Sequence, residues 1–125
     1  MIDRDNLPAD LEALCTTFGA TLHFAELGVE RGGLQGMLIP LDGDRFRVVV
    51  DPAVATADLS PPMPADATDR VAFVVAHELA HIQSYRRRPG ARPVRAVHGG
   101  ADETRCDAAA LAFIQTRHRQ PRQEP

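Results

Sequence analysis

Two histidines and a glutamate stand together in the segment His77-Glu78-Leu79-Ala80-His81. In an α-helix, residues four positions apart lie one above the other on the same face, so both imidazoles can bind one metal ion. The glutamate next to them can act as a general base on an attacking water. This spacing is the HExxH pattern of zinc-dependent peptidases, and in a chain of this composition chance produces it in about one sequence in a hundred.

A hydrolytic zinc site usually has three protein ligands and a fourth position for water, and HExxH supplies two of the three. The metzincin continuation HExxHxxGxxH is excluded because Ser84 and Arg87 occupy its Gly and last His positions. Glu103 and Asp107 lie four residues apart in a second predicted helix. One of these carboxylates could complete a His-His-Glu site, and Asp107 could accept the outer N–H of a ligand histidine.

Residues 69–81 read DRVAFVVAHELAH, and residues 103–107 read ETRCD. The first segment resembles the R-x-x-F-x-x-A-H-E-L-x-H signature of the ImmA/IrrE family of metallopeptidases. The second, with the small and apolar residues that follow it, is similar to the ExxxD/N helix of that family. The predicted hairpin that precedes them, with Gly36 and the apolar segment 48–52, also fits. The likeness covers most of residues 7–115, and the two helical motifs are its specific part.

The resemblance implies a zincin-like peptidase of the gluzincin type. His77, His81 and Glu103 would bind Zn²⁺, and Glu78 would be the general base. Asp107 would not bind the metal but would accept a hydrogen bond from a ligand histidine. Members of this family commonly cleave a helix-turn-helix repressor. The expected partner is therefore a protein or peptide substrate, for example a transcriptional repressor. The segment between the two motifs is shorter and richer in arginine than the family leads us to expect.

Several alternatives remain open at the level of the sequence. Tyr85 and His98 are the candidates for the second electrophile that an oxyanion would need. Glu103 could instead be a solvated acid in the first turn of its helix, where acids are favoured anyway. Cys106 could bind zinc, although its neighbours favour a small buried side chain.

The alternative function is a non-hydrolytic zinc-binding module that regulates or binds a partner. Its zinc site would be structural. A separate alternative is that His77 and His81 are two surface histidines beside an ordinary helical glutamate. Glu78 favours the hydrolase, because a structural zinc site needs no general base and normally has no open position.

The sequence pattern predicts that these residues are positioned by one α+β domain over residues 1–118, which is followed by a frayed polar tail over 119–125. Helical spacing predicts a helix over residues 6–19, with Asn6 as N-cap and Leu11 on its apolar face. Alternation and the turn signal Asp42-Gly43 predict strands over 21–26, 34–40 and 45–50, the last two in a hairpin. Two further helices are predicted, from residue 66 or 68 to about 86 and over 101–117. We expect a minimal zincin-like domain with a small, mostly antiparallel sheet.

Charge and composition exclude other function classes. The 125 residues carry a net charge of −3, so we expect neither direct nucleic-acid binding nor attraction to an anionic membrane. The first residues contain no apolar signal region, and the apolar segment 71–76 is too short to span a bilayer. We therefore expect a cytoplasmic protein in which Cys15 and Cys106 are reduced. The arginines of segment 86–95 favour a solvated connection, with a basic docking patch as the alternative.

Overall fold

The computed structural model describes residues 9–57, 64, 66–86 and 101–119. These residues form an α+β fold, as predicted. In chain order the elements are α1 (Ala9–Thr17), β1 (Ala20–Phe24), β2 (Gly36–Leu41), β3 (Arg45–Val50), α2 (Ala67–Arg86) and α3 (Ala101–Arg119), with short 3₁₀ turns at Val29–Arg31 and Pro52–Ala55. Arg119 ends α3, and the rest of the predicted tail lies outside the described residues. Within the described part of the chain, no helix is long and apolar enough to cross a membrane.

The sheet is mixed, so the expectation of a mostly antiparallel sheet is wrong. Its strand order is β1-β3-β2, in which β3 pairs antiparallel with β2 and parallel with β1. The reason lies in β3, where Val48, Val49 and Val50 are all buried, as is typical of a central strand. A parallel neighbour requires a crossover. The segment 25–44, which contains β2, provides it.

The predicted hairpin of β2 and β3 is confirmed. Leu41 pairs with Arg45 across a three-residue turn, in which Gly43 and Asp44 have positive φ values of 71° and 59°. Glycine adopts this left-handed backbone without steric cost, and aspartate tolerates it better than most residues do. The two strands pair from Leu41 and Arg45 at the turn to Gly36 and Val50 at the other end.

The core lies between the helices and one face of the sheet. In β1, Leu22 and Phe24 are buried while His23 is exposed, as the alternation predicts. In α2, Val71, Val75, Leu79 and Ile82 recur at helical spacing and are each at most 3% exposed, so they lie on a buried face of the helix. In α1, Leu11 and Cys15 are fully buried, and the chain leaves the helix through Gly19 at a φ of 72°. The predicted cap at Asn6 lies outside the described residues.

The beginning of α2 is fixed by two polar side chains. The carboxylate of Asp66 accepts the backbone N–H of Asp69 at 3.1 Å, so Asp66, one of the two residues at which this helix is predicted to begin, is its N-cap. Arg70 donates from Nε to the carbonyl of Pro64 at 2.7 Å and from Nη1 to that of Ala57 at 2.6 Å. A third, longer bond at 3.3 Å reaches the carbonyl of Val54. Arg70 thus ties the proline-rich segment before α2 to the helix that carries the HExxH residues.

The other end of α2 is held by Arg86. Its Nη2 donates to the carbonyl of Asp44 at 3.2 Å, and its Nε lies 3.4 Å from the carboxylate of the same residue. The guanidinium also lies over the ring of Phe46, 5.5 Å from its centroid, within the range of a cation–π contact. The HExxH helix is therefore anchored at both ends to the sheet and its loops.

Asp51, directly after β3, is a buried carboxylate with backbone donors around it. It is 2% exposed and accepts N–H groups from Ala53 and Leu27, each at 2.9 Å, and from Val29 at 3.2 Å. Burial alone would raise the pKa of this carboxyl, but the surrounding N–H groups outweigh it and hold the pKa below the ordinary value of 3.8. The charged form of Asp51 therefore stabilises the connection between β1 and the 3₁₀ turn after β3.

Candidate metal centre and catalytic site

The two histidines of the HExxH segment converge on one point. His77 Nε2 and His81 Nε2 are 3.1 Å apart, and the two rings meet edge to face with centroids 4.8 Å apart. Two nitrogens bound to one tetrahedral zinc, each at about 2.0–2.1 Å, would be about 3.3 Å apart. The helical turn therefore brings this pair to within a few tenths of an ångström of the spacing that two zinc ligands adopt.

A carboxylate on α3 holds the other nitrogen of His77. Asp107 Oδ1 lies 2.8 Å from His77 Nδ1, where the side chains are 36% and 13% exposed. An Nδ1–H that donates to this carboxylate leaves the lone pair of the neutral ring on Nε2, which is the form that binds metals. The ring of Phe73, one turn earlier on α2, lies 6.4 Å from that of His77. The orientation of His77 is thus set by groups on two helices.

The side chain of Glu78 extends from α2 toward the edge strand β2. This side chain is only 9% exposed, which is unusual for a glutamate because burial of a carboxylate is costly. A Cβ built on Gly36 of β2 would lie 3.5 Å from Glu78 Oε2. The carboxylate therefore faces the first residue of β2 and not open solvent.

The remaining candidates are only partly within the described residues. Glu103 lies in α3, four residues before Asp107, but its side chain is outside the described part, as is that of Tyr85 in α2. His98 lies outside it altogether. Among the side chains that are described, no group of three or more His, Cys, Asp or Glu residues is placed to hold a metal ion. Glu103 as third ligand accordingly stays a prediction.

Neither cysteine forms a disulfide and both are buried, in agreement with a packing role. Cys106 is 1% exposed and lies next to Asp107 in the chain. Burial, with a smaller contribution from the nearby Glu12, raises the pKa of the Cys15 thiol from 9.0 to about 11. A thiol with so high a pKa is almost entirely protonated at neutral pH and is therefore a poor nucleophile.

One contact at the site is not predicted by the sequence, namely the approach of β2 to Glu78 at Gly36. The hairpin pattern gives the pairing of β2 with β3 but does not say which helix covers β2. A glycine inside a strand pattern often marks a place where another group approaches the backbone closely. Gly36 is such a signal, and its neighbours could be identified only from the fold.

Comparisons with protein-family models, with curated proteins and with solved structures find no match for this chain. The resemblance to the ImmA/IrrE family therefore stays a prediction from the motif residues of segments 69–81 and 103–107. Function must therefore be inferred from the side chains of the site and from their chemistry.

Proposed function

We propose that the protein is a zinc-dependent endopeptidase of the ImmA/IrrE type, with a minimal zincin-like fold, that hydrolyses a peptide bond in a specific protein such as a helix-turn-helix repressor. The observation that carries this proposal is the pairing of His77 Nε2 with His81 Nε2 at 3.1 Å while Asp107 holds His77 Nδ1 at 2.8 Å. Both features are those of a metal-binding histidine pair, in which the Nε2 atoms converge and a carboxylate orients one ring.

The donor set fits zinc. Imidazole nitrogens are ordinary zinc ligands, and the spacing of His77 and His81 agrees with tetrahedral geometry. Glu103 is the proposed third ligand, since its position in α3 is one turn from Asp107, which already contacts His77. Zinc bound there would polarise the scissile carbonyl and lower the pKa of a water to about 7.

Glu78 is the proposed general base and then general acid. Its carboxylate would take the proton of the attacking water and transfer it to the amine of the leaving peptide. Its place directly after His77 in HExxH supports this role, and its carboxylate faces β2, the proposed place for the substrate. Asp107 would keep the tautomer and orientation of His77 through the bond to Nδ1.

The outer edge of β2 is the proposed place for an extended substrate. In the described residues β2 is an edge strand. The N–H of Asp51 donates to the carbonyl of Gln35 at 3.0 Å, so the backbone groups of Gln35 face β3. By alternation, the backbone groups of Gly36, Leu38 and Pro40 face outward. Pro40 has no N–H, so Gly36 and Leu38 supply the donors for a pairing peptide.

The proposal is tested by the metal content and by the Glu78→Gln variant, an isosteric change that keeps both histidines. We expect one zinc per chain in both proteins, measured by elemental mass spectrometry, and cleavage that is slower in the variant by roughly 10²–10⁴-fold. Glu30→Gln, at an exposed position, is the matched control and should cleave like the wild type. Genes next to the one that encodes this chain supply candidate repressors for the assay. Zinc binding without any cleavage by the wild type would refute the peptidase and favour a non-hydrolytic zinc module. Equal cleavage by wild type and Glu78→Gln would refute Glu78 as the general base of a zinc peptidase.

A further inference from the structure

Gly36 of the edge strand β2 lies directly against the HExxH helix α2. A Cβ at this position would lie 2.6 Å from Val74 Cγ1, 3.2 Å from the carbonyl oxygen of Val49 and 3.5 Å from Glu78 Oε2. Gly36 is not among the described glycines with positive φ, so its backbone conformation is open to any residue. Glycine is therefore required at this position because a larger side chain would not fit, and not because of the backbone conformation.

Val74 cannot make that space by rotating. Its side chain is 3% exposed, and a valine in a helix has one strongly preferred χ1 rotamer. Carbon atoms in contact are normally about 3.5–4.0 Å apart, so a side chain at position 36 would displace β2 from α2 by about 1 Å. The displaced strand would be the one that Glu78 faces.

We propose that Gly36 is a positioning residue for Glu78: the missing side chain lets β2 lie against α2 at the level of the carboxylate. The inference rests on the proposed function, because it concerns the general base of that reaction. The histidines lie on α2 and Asp107 on α3. A shift of β2 should therefore leave metal binding intact and change the step in which Glu78 acts.

The variants needed are Gly36→Ala, Val74→Ala and the double substitution Gly36→Ala/Val74→Ala. The double variant removes Cγ1 of Val74 and with it the shortest of the three contacts. Gly43→Ala is the matched control at the far end of the same hairpin. Its φ is 71°, and no described atom lies within 4 Å of its Cβ. Gly43→Ala therefore strains the backbone without touching the site.

Zinc stoichiometry, the melting temperature and the kcat and KM for a quenched-fluorescence peptide containing the cleaved sequence are measured for each protein. Gly36→Ala should lower kcat by about 10²-fold, the typical effect of a displacement of about 1 Å. It should still bind one zinc. Gly43→Ala and Val74→Ala should keep kcat within about threefold of the wild type. In the Val74→Ala background, Gly36→Ala should lower the melting temperature by less than it does in the wild type. The factor by which it lowers kcat should also be at least about tenfold smaller in that background.

The inference is overturned if Gly36→Ala retains kcat within about threefold of the wild type, or if it loses its zinc. It also fails if the double variant is as slow as Gly36→Ala, because Val74 would then not be the obstacle. Should Gly36→Ala not fold, the comparison of Val74→Ala with the double variant decides, and similar kcat values support the inference. A zinc-loaded wild type that cleaves no peptide refutes the proposed function itself. An active wild type with an insensitive Gly36→Ala refutes only the role of Gly36.

Discussion

Replacement of Asp107 by asparagine should weaken zinc binding without unfolding the protein. The substitution removes the charge-assisted bond of 2.8 Å to His77 Nδ1, which selects the ring form with its lone pair on Nε2. Removal of such a carboxylate typically lowers metal affinity by roughly 10–100-fold. Asp107 is 36% exposed, so solvent already screens part of the interaction. We therefore expect a decrease of about tenfold in zinc affinity, which corresponds to about 1.4 kcal/mol in the free energy of zinc binding.

The affinity is measured by competition with a chromophoric zinc chelator at constant pH and ionic strength. Glu12→Gln, an exposed acid on α1, is the control for the removal of one negative charge and should bind zinc like the wild type. Circular dichroism shows whether Asp107→Asn is folded. An affinity for zinc equal to that of the wild type would refute the reasoning, since His77 would then not depend on Asp107 for its orientation.

Three further predictions concern the fold that holds the site. The pKa of Asp51 is lowered in the folded state, so its contribution to stability is present above pH 3.8 and is lost as the pH falls through the folded pKa. Asp51→Asn should be less stable by about 1–3 kcal/mol at pH 7, and urea titrations should show the difference shrinking below that pH. The raised pKa of Cys15 predicts no alkylation of the native protein by iodoacetamide at pH 8, and rapid labelling of this residue under these conditions would contradict it. Arg70→Ala should remove three bonds to carbonyls and lower the free energy of unfolding by about 2–4 kcal/mol, whereas a melting curve like that of the wild type would show that these bonds contribute little.

The sequence predicts the local parts of this fold well because their causes are local. The apolar face of α2, its cap at Asp66 and the turn at Gly43 follow from spacing and backbone chemistry within a few residues. The same is true of the histidine pair, since one helical turn separates His77 from His81. Asp107 lies 2.8 Å from His77 Nδ1, and its position in a second predicted helix suggested such a contact; its role beside a metal stays a prediction.

The parts that the sequence does not predict depend on contacts between distant segments. The parallel pairing of β1 with β3 is decided by which strand is buried in the centre of the sheet, and alternation within one strand does not reveal its neighbours. Arg86 contacts Asp44, 42 residues away, and Gly36 lies against Val74 and Glu78. Each of these contacts follows from packing of the whole domain and not from any pattern within a single segment.

The most direct test of a zinc peptidase at His77 and His81 is metal-dependent cleavage of a candidate repressor, followed by mass spectrometry of the products. The protein is first freed of metal with a chelator, and zinc is then returned in steps up to one equivalent per chain. We predict that cleavage stops on removal of the metal, returns in proportion to the zinc added, and does not return in Glu78→Gln. Cleavage that continues in the metal-free protein, or that returns equally in Glu78→Gln, would contradict the proposed function.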